Sequence, residues 1–254
     1  MIKQNMNVEE ALAGLLIKYE IKPVKPFHLE KKKATEGLVL LPGYEFIEQV
    51  TGDNEIPLLP WRLRRKFVEL KKIVDDSVIE DACLYRFCCM GSKDKWTLAS
   101  LFYRELDLFE FIGNSRVTAV NTIMADNEAG SAIATLESGV ICSIEVSTQV
   151  PPGTVMVDRH EIIASRGVAS DQPVDTQVPM SSIYCYTKNG ENRFTDTDFE
   201  LFDLDDLQID QVRSAFQVLK NPDLGKQWHK QHTHLMQLVQ AVFESDKKHE
   251  KIKI

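Results

Sequence analysis

The chain has 254 residues, 43% hydrophobic and 27% charged, and its 30 Lys and Arg against 38 Asp and Glu give a net charge of −8. A chain this apolar offsets its ordering entropy by burial, which excludes a disordered tail, and its length suits one large domain or two small ones. No apolar run approaches the ~18 residues of a membrane span, and the acidic balance disfavours nucleic acid and anionic membranes as partners. Met1-Ile2-Lys3-Gln4-Asn5 turns polar at once and lacks an apolar signal core, so a cytoplasmic protein is expected. The cysteines Cys83, Cys88, Cys89, Cys142 and Cys185 are odd in number and lie in apolar or alternating segments, which reads as buried, reduced thiols.

In chain order, Asn7 and Glu10 have capping-box spacing at the start of a helix over 7–21, with Leu12, Leu15, Leu16 and Tyr19 on one stripe. Pro23 and Pro26 stop it. Lys31-Lys32-Lys33 reads as a solvated turn, and 37–60, with Gly52-Asp53-Asn54, Pro42, Pro57 and Pro60, as a mostly irregular connection. A basic amphipathic helix is expected over 61–75. Its Leu63, Phe67, Leu70, Ile73 and Val74 face inward, and Arg62, Arg64, Arg65, Lys66, Lys71 and Lys72 read as a solvated face in this acidic protein, with attraction of phosphate as the alternative. A strand over 78–90 precedes a helix over 96–112 that carries Leu98, Leu101, Phe102, Leu106, Phe109 and Ile112 at helical spacing.

From residue 117 the pattern turns to strands. One covers 117–124, and 132–137 with 140–150 form a hairpin about Ser138-Gly139. In its second arm Val140, Cys142, Ile144 and Val146 face one way and Ser143, Glu145, Ser147 and Gln149 the other, as in a sheet with one covered face. Two further hairpins turn at Arg166-Gly167 and at Asn189-Gly190. Two helices close the chain, separated by Asn221-Pro222. The order specifies an α+β fold, an open and mainly antiparallel sheet with helices packed on one face. Residues 1–60 form an N-terminal helix and connection, and 61–254 the α+β domain.

The chain contains no Gly-x-Gly-x-x-Gly, Walker-type Gly-Lys-Ser/Thr, Gly-x-Ser-x-Gly, His-Glu-x-x-His or Cys-x-x-Cys. His229 and His232 are three apart on the last helix and offer a pair of metal ligands. His232 also falls on the apolar stripe, which favours a structural histidine. His28 and His160 are candidates to line a cleft. Asp203, Asp205, Asp206 and Asp210 precede and open a helix, where carboxylates favour the macrodipole without any metal.

From about Pro60 the sequence resembles the C-terminal domain of the Gfo/Idh/MocA oxidoreductases. The resemblance is carried by Arg65-Lys66-Phe67 with Leu70-Lys71-Lys72-Ile73, by Val117-Thr118-Ala119-Val120, by 132–140 as the strand–turn–strand A-x-x-x-L-x-x-G-x, by Glu161–Gly167 as E-I-x-G-x-x-G, and by Phe243-Glu244-Ser245 before Ile252-Lys253-Ile254. The resemblance implies an N-terminal Rossmann domain for a nicotinamide cofactor. The 60 residues ahead of the resembling part are too few for one and lack its glycine fingerprint. Val24-Lys25-Pro26 is only an echo of the family's Glu-Lys-Pro. With Asp107 as the final aspartate of the family's central helix, Arg104 stands at the histidine position and Ser100 at the upstream aspartate position.

Arginine stays protonated near neutral pH and cannot relay a proton as histidine does. The expectation is therefore a non-catalytic relative, a pseudoenzyme acting as a binding or assembly module. It would form a homodimer through the open sheet face and take a sugar or polyol beside Tyr103, Arg104 and Glu105. Two alternatives stand. One is an NAD(P)-dependent oxidoreductase subunit with an atypical cofactor site or a Rossmann-domain partner protein, for which Arg104, Tyr103 and Lys25 are the first residues to mutate. The other is an unrelated α+β enzyme that is metal-dependent through His229 and His232.

Overall fold

The capping box at Asn7 forms, with Glu10 N donating to Asn7 Oδ1 at 2.9 Å, and it starts helix α1 (Val8–Lys18). The computed structural model describes residues 7–29, 37–47, 51–171, 182–187, 190–195 and 204–254. The Lys31–Lys33 turn, Asn189, Asp203 and the Cys185 side chain lie outside the described residues.

The stretch 37–60, expected to be mostly irregular, contains two short strands, β2 (Leu38–Pro42) and β3 (Glu55–Leu58), which with β1 (Phe27–His28) ahead of it pair in parallel in the order β1-β2-β3. The physical reason is the continuous run Leu38-Val39-Leu40-Leu41, the pattern of a strand flanked on both faces, with Leu40 and Leu41 buried. Short 3₁₀ turns follow at Gly43–Phe46 and Pro60–Leu63.

The chain divides into two compact units, Met1–Arg64 with Thr197–His234, and Arg65–Asp196 with Leu235–Ile254. The first unit is thus drawn from both ends of the sequence. Helix α4 (Asp206–Lys220) is capped by Asp205 with Gln208, and its Phe216 ring lies 5.4 Å from Tyr19. Helix α5 (Pro222–Lys248) starts at the expected Asn221-Pro222 break and runs on into the second unit. Among the described residues no helix is long and apolar enough to cross a membrane.

The second unit begins with α2 (Arg65–Asp75), β4 (Ala82–Ser92) and α3 (Leu98–Gly113). There follow β5 (Val117–Ala125), β6 (Ala129–Leu136), β7 (Ile141–Val150), β8 (Val157–Ala164), β9 (Gly167–Ser170), β10 (Ser182–Thr187), β11 (Gly190–Thr195) and, after α5, β12 (Ile252–Lys253). Among the described residues these nine strands form one sheet in the order β11-β10-β9-β8-β4-β7-β6-β5-β12. Every neighbouring pair is antiparallel except β4 and β7, which are parallel because α3, β5 and β6 supply the long crossover that such a pair requires. The protein is therefore α+β with a mixed, mostly antiparallel sheet.

Alternation sorts the strands as the sequence predicts: Tyr85, Phe87 and Cys89 on β4 and Cys142, Ile144 and Val146 on β7 are buried. Two cysteines depart from the expected buried thiols: Cys83 is exposed, because the β4–β8 register shifts between Ala82 and Leu84 and breaks the alternation there, and Cys88, on the outward parity of Arg86, is half-buried. At the β5 edge, β12 pairs with Ala119 and Val120, and beyond it Thr122 N donates to Ser245 Oγ at 3.0 Å and Met124 N to Asp246 Oδ1 at 2.7 Å. Helix α5 thereby satisfies edge amides that would otherwise invite another strand.

Gly91 closes the β4 end against Trp96. A Cβ there would lie 2.5 Å from the indole Cδ1, and both residues are buried, so the rigid ring has little room to retreat. Gly91→Ala is expected to cost about 1–3 kcal/mol by overpacking, read as a lowered midpoint in urea unfolding with an unchanged slope.

Candidate functional site

Helix α3 is apolar nearly all round and is covered on most sides, yet Arg104 and Glu105 in its middle are 2% and 0% exposed. Buried charge persists only when paired and hydrogen-bonded, and the partners come from three other elements. Lys66, in the first turn of α2, places Nζ 2.6 Å from Asp158 Oδ1 and 3.0 Å from Asp171 Oδ2. Asp158 and His160 share one face of β8 because they are two residues apart, and Asp171 follows β9. His160 Nδ1 lies 2.8 Å from Asp171 Oδ2 and Nε2 lies 2.9 Å from Glu105 Oε2, while the His160 backbone N donates to Asp171 Oδ1 at 2.6 Å. Arg104 donates from Nη1 to Glu105 and from Nη2 to Asp158, and Nη1 also lies 3.4 Å from Cys89 Sγ.

Both ring nitrogens of His160 face carboxylate oxygens, an arrangement that favours two N–H donors and so the imidazolium form. With that proton the three cations Lys66, Arg104 and His160 balance the three carboxylates Glu105, Asp158 and Asp171. Burial opposes the imidazolium, but the charges of Glu105 and Asp171 outweigh it and raise its pKa above the ordinary histidine value. Burial likewise opposes the Glu105 carboxylate, and Arg104 with His160 overcomes it and lowers the pKa; at Asp171, Lys66 and His160 do the same. Aromatic rings close the network. Phe67 and Phe87 each meet the imidazole edge to face at 4.8 Å, and Phe67 also carries Lys66 Nζ at 4.8 Å and Arg104 Cζ at 5.2 Å.

Asp158, His160 and Asp171 are the group of metal-ligand types that the described residues bring together. The Lys66 ammonium bonds both aspartates and supplies the cation, so the donor set works as a salt-bridge network.

The candidates read from the sequence fall in different places. Arg104 and Glu105 join the network, and Tyr103 beside them is fully buried. Lys25 belongs to the first unit, its Nζ 3.4 Å from Asn54 Oδ1. His232 is buried against the Phe46 ring at 6.2 Å, and burial, aided by His229, pushes its pKa down to about 4. His229 Nε2 lies 3.4 Å from Thr51 Oγ1. Of the acidic run, Asp205 caps α4 and Asp210 is buried 2.6 Å from Arg64.

The solvated basic face is corrected. Arg64 and Lys66 are buried, and their partners Asp210, Asp158 and Asp171 lie far along the chain, where helical spacing gives no sign of them. Local periodicity does not mark Lys66, Asp158 and Asp171 as site residues. The signal available was the Arg104-Glu105 pair at inward positions of an apolar helix, together with His160 on the inward parity of Ile162.

The opposite face of the sheet carries the side chains that alternate with the buried set on β4, β7 and β8. There Arg86, Ser143, Glu145, Arg159 and Glu161 line a cleft of about 290 Å³, with Arg86 Nη1 3.0 Å from Glu161 Oε2. An apolar groove of about 530 Å³ adjoins it, formed by Met90, Ile123, Met124 and Val146 and sharing Cys88 and Glu145 with the cleft. Ile123, Ile133 and Ile141 are exposed on this face.

No protein-family model matches the chain, and no curated protein sequence matches it. Solved structures do. The transcriptional regulator Gal80p of Kluyveromyces lactis aligns with a TM-score of 0.63 at 16% identity, over 78% of this chain and 60% of its own length. A levoglucosan dehydrogenase in complex with NADH gives 0.62 at 12% identity, over 85% of this chain and 73% of that one. The scyllo-inositol dehydrogenase of Lactobacillus casei with bound NAD(H) and scyllo-inositol gives 0.58 at 14% identity, over 87% and 81%. The chain thus spans less than two thirds of Gal80p. At these identities the likeness is one of fold, and the resemblance to Gfo/Idh/MocA oxidoreductases holds at that level.

Proposed function

We propose that this chain is a non-catalytic member of the oxidoreductase fold, a binding and assembly module that pairs with a second copy through its open sheet face. The observation that carries the reading is Arg104. At the position where the resemblance sets a proton-relaying histidine, a guanidinium is tied to Glu105 and Asp158 in the interior. Burial works against its charge, but Glu105, Cys89 and Asp158 outweigh it and raise the pKa further, so the group neither takes nor gives a proton near neutral pH.

Pairing is supported by the composition of the open face. Arg86 and Arg159 against Glu145 and Glu161 form a self-complementary set, as an isologous interface requires, and the exposed isoleucines supply apolar area beside them. A fold can host unrelated functions, and a transcriptional regulator among the structural neighbours agrees with a role other than hydride transfer. Levoglucosan and scyllo-inositol, named for two dehydrogenase neighbours, point to a sugar or polyol as ligand class.

Titration with NADH and NADPH, followed by fluorescence or calorimetry, is expected to give no saturable binding at millimolar cofactor. Sedimentation is expected to give a dimer. Ile133→Glu, at an exposed site on the open face, is expected to weaken that dimer at least ~30-fold, the loss of about 2 kcal/mol typical of an interface hot spot. Tight nicotinamide binding by the purified chain, or a monomer at all concentrations, would overturn the proposal. The second reading, an NAD(P)-dependent subunit completed by a Rossmann-domain partner protein, is favoured by the NADH in the dehydrogenase neighbours. It predicts NADH binding that appears only when the partner is added.

A further inference from the structure

His160 is enclosed on every side. Lys66 comes from α2, Arg104 and Glu105 from α3, Cys89 from β4, Asp158 from its own strand and Asp171 from beyond β9, while Phe67 and Phe87 pack against the ring. Among these residue types imidazole has the ordinary pKa nearest neutrality, about 6.5. The Cys89 thiol is pushed well above its usual value by burial, so it stays neutral through the range in which a histidine titrates.

A neutral imidazole has one N–H. With both nitrogens under 3 Å from carboxylate oxygens, deprotonation sets a lone pair against either Asp171 Oδ2 or Glu105 Oε2. It also leaves the buried network one negative charge in excess, at a site with no solvent access to the ring. Asp171 keeps the Lys66 ammonium at 3.0 Å in either state, so deprotonation loosens its attachment to the ring without freeing it outright. It fastens the last residue of the β8–β9 hairpin through its own N–H to His160 O at 3.0 Å and through its carboxylate to the His160 amide and ring.

We infer that His160 is a proton-operated latch. Its imidazolium joins Asp171, and with it the end of β9, to Glu105 on α3, and loss of that one proton loosens the strand end. The stability supplied is complete below the ordinary histidine pKa and fades as pH climbs through the raised folded value. The device stands whether the chain is a module or a catalyst, since it uses neither a cofactor nor a second copy.

The test uses the full chain labelled with ¹⁵N. At pH 8, where a free histidine is neutral, the ring nitrogens of His160, assigned by their loss in His160→Asn, are expected to show the imidazolium pattern. Between the ordinary histidine pKa and the raised folded value the protection of the His160 amide, corrected for intrinsic exchange, is expected to fall by up to tenfold per pH unit and then to level off, as one linked proton requires. Glu105→Gln, which keeps an acceptor and removes a charge, ends that fall at lower pH and makes it smaller. A neutral ring at pH 7 or protection unchanged to pH 10 would sink the inference, as would an equal fall in His160→Asn. If that variant does not fold, the wild-type exchange profile and Glu105→Gln decide the matter.

Discussion

Lys66→Met is expected to destabilise the second unit by about 3–5 kcal/mol, the cost of removing one partner from a buried charge network. Methionine matches the length of the lysine stem, so the loss is chiefly of charge. Asp158 Oδ1 and Asp171 Oδ2, at 2.6 and 3.0 Å from the ammonium, lose their shared cation, and the balance of three against three becomes an excess of one carboxylate. Lowering the pH toward 4 lets an unpaired carboxyl take a proton, so the penalty shrinks there, the reverse of what a packing defect does. Lys72→Met is the control. Its ammonium lies 3.2 Å from Glu69 with the lysine side chain 59% exposed, and such a pair contributes about 0–1 kcal/mol. Denaturant unfolding of both variants at pH 7 and pH 4 checks the contrast, and equal small losses would mean that water screens the network.

That contrast marks how far the sequence could be read. Lys66 and Lys72 both belong to a basic run on one helix, and helical spacing alone put them on the same solvated face. What separates them is whether a carboxylate arrives from elsewhere, and Asp158 and Asp171 lie 92 and 105 residues downstream. Local rules succeeded where the cause is local. The boxes at Asn7 and Asp205, the β6–β7 hairpin and the two faces of β7 follow from spacing over a few residues. The parallel pairing of β4 with β7 rests on a crossover, which periodicity does not reveal. The strands within 37–60 escape a local reading because Pro42 and Pro57 look like interruptions. Pro57 sits opposite Leu41 on β3, an edge strand of the three-stranded sheet, where its missing N–H need not break the pairing. At the site, the inward Arg104-Glu105 pair announced that counter-charges must exist, and the sequence could not say which residues supply them.

Phe67→Ala is expected to cost about 3–5 kcal/mol as a buried aromatic truncation, with a further loss because this ring covers charges as well as hydrocarbon. Its face carries Lys66 Nζ at 4.8 Å and Arg104 Cζ at 5.2 Å, and the His160 ring meets it at 88°. A cation over a desolvated aromatic face is worth about 0.5–2 kcal/mol, and an alanine leaves the network open to water on that side. Volume and π face are separated by comparing Phe67→Leu with Phe109→Leu. The Phe109 ring sits against Tyr85 at 5.3 Å and Phe87 at 6.4 Å, so its neighbours there are aromatic hydrocarbon. Leucine restores most of the bulk at either site at a cost below about 1.5 kcal/mol. The excess destabilisation at Phe67, expected at about 1–2 kcal/mol, measures what the cations draw from the ring. Equal losses in urea unfolding would reduce Phe67 to a filler of space, and the charges would then be held by their carboxylates alone.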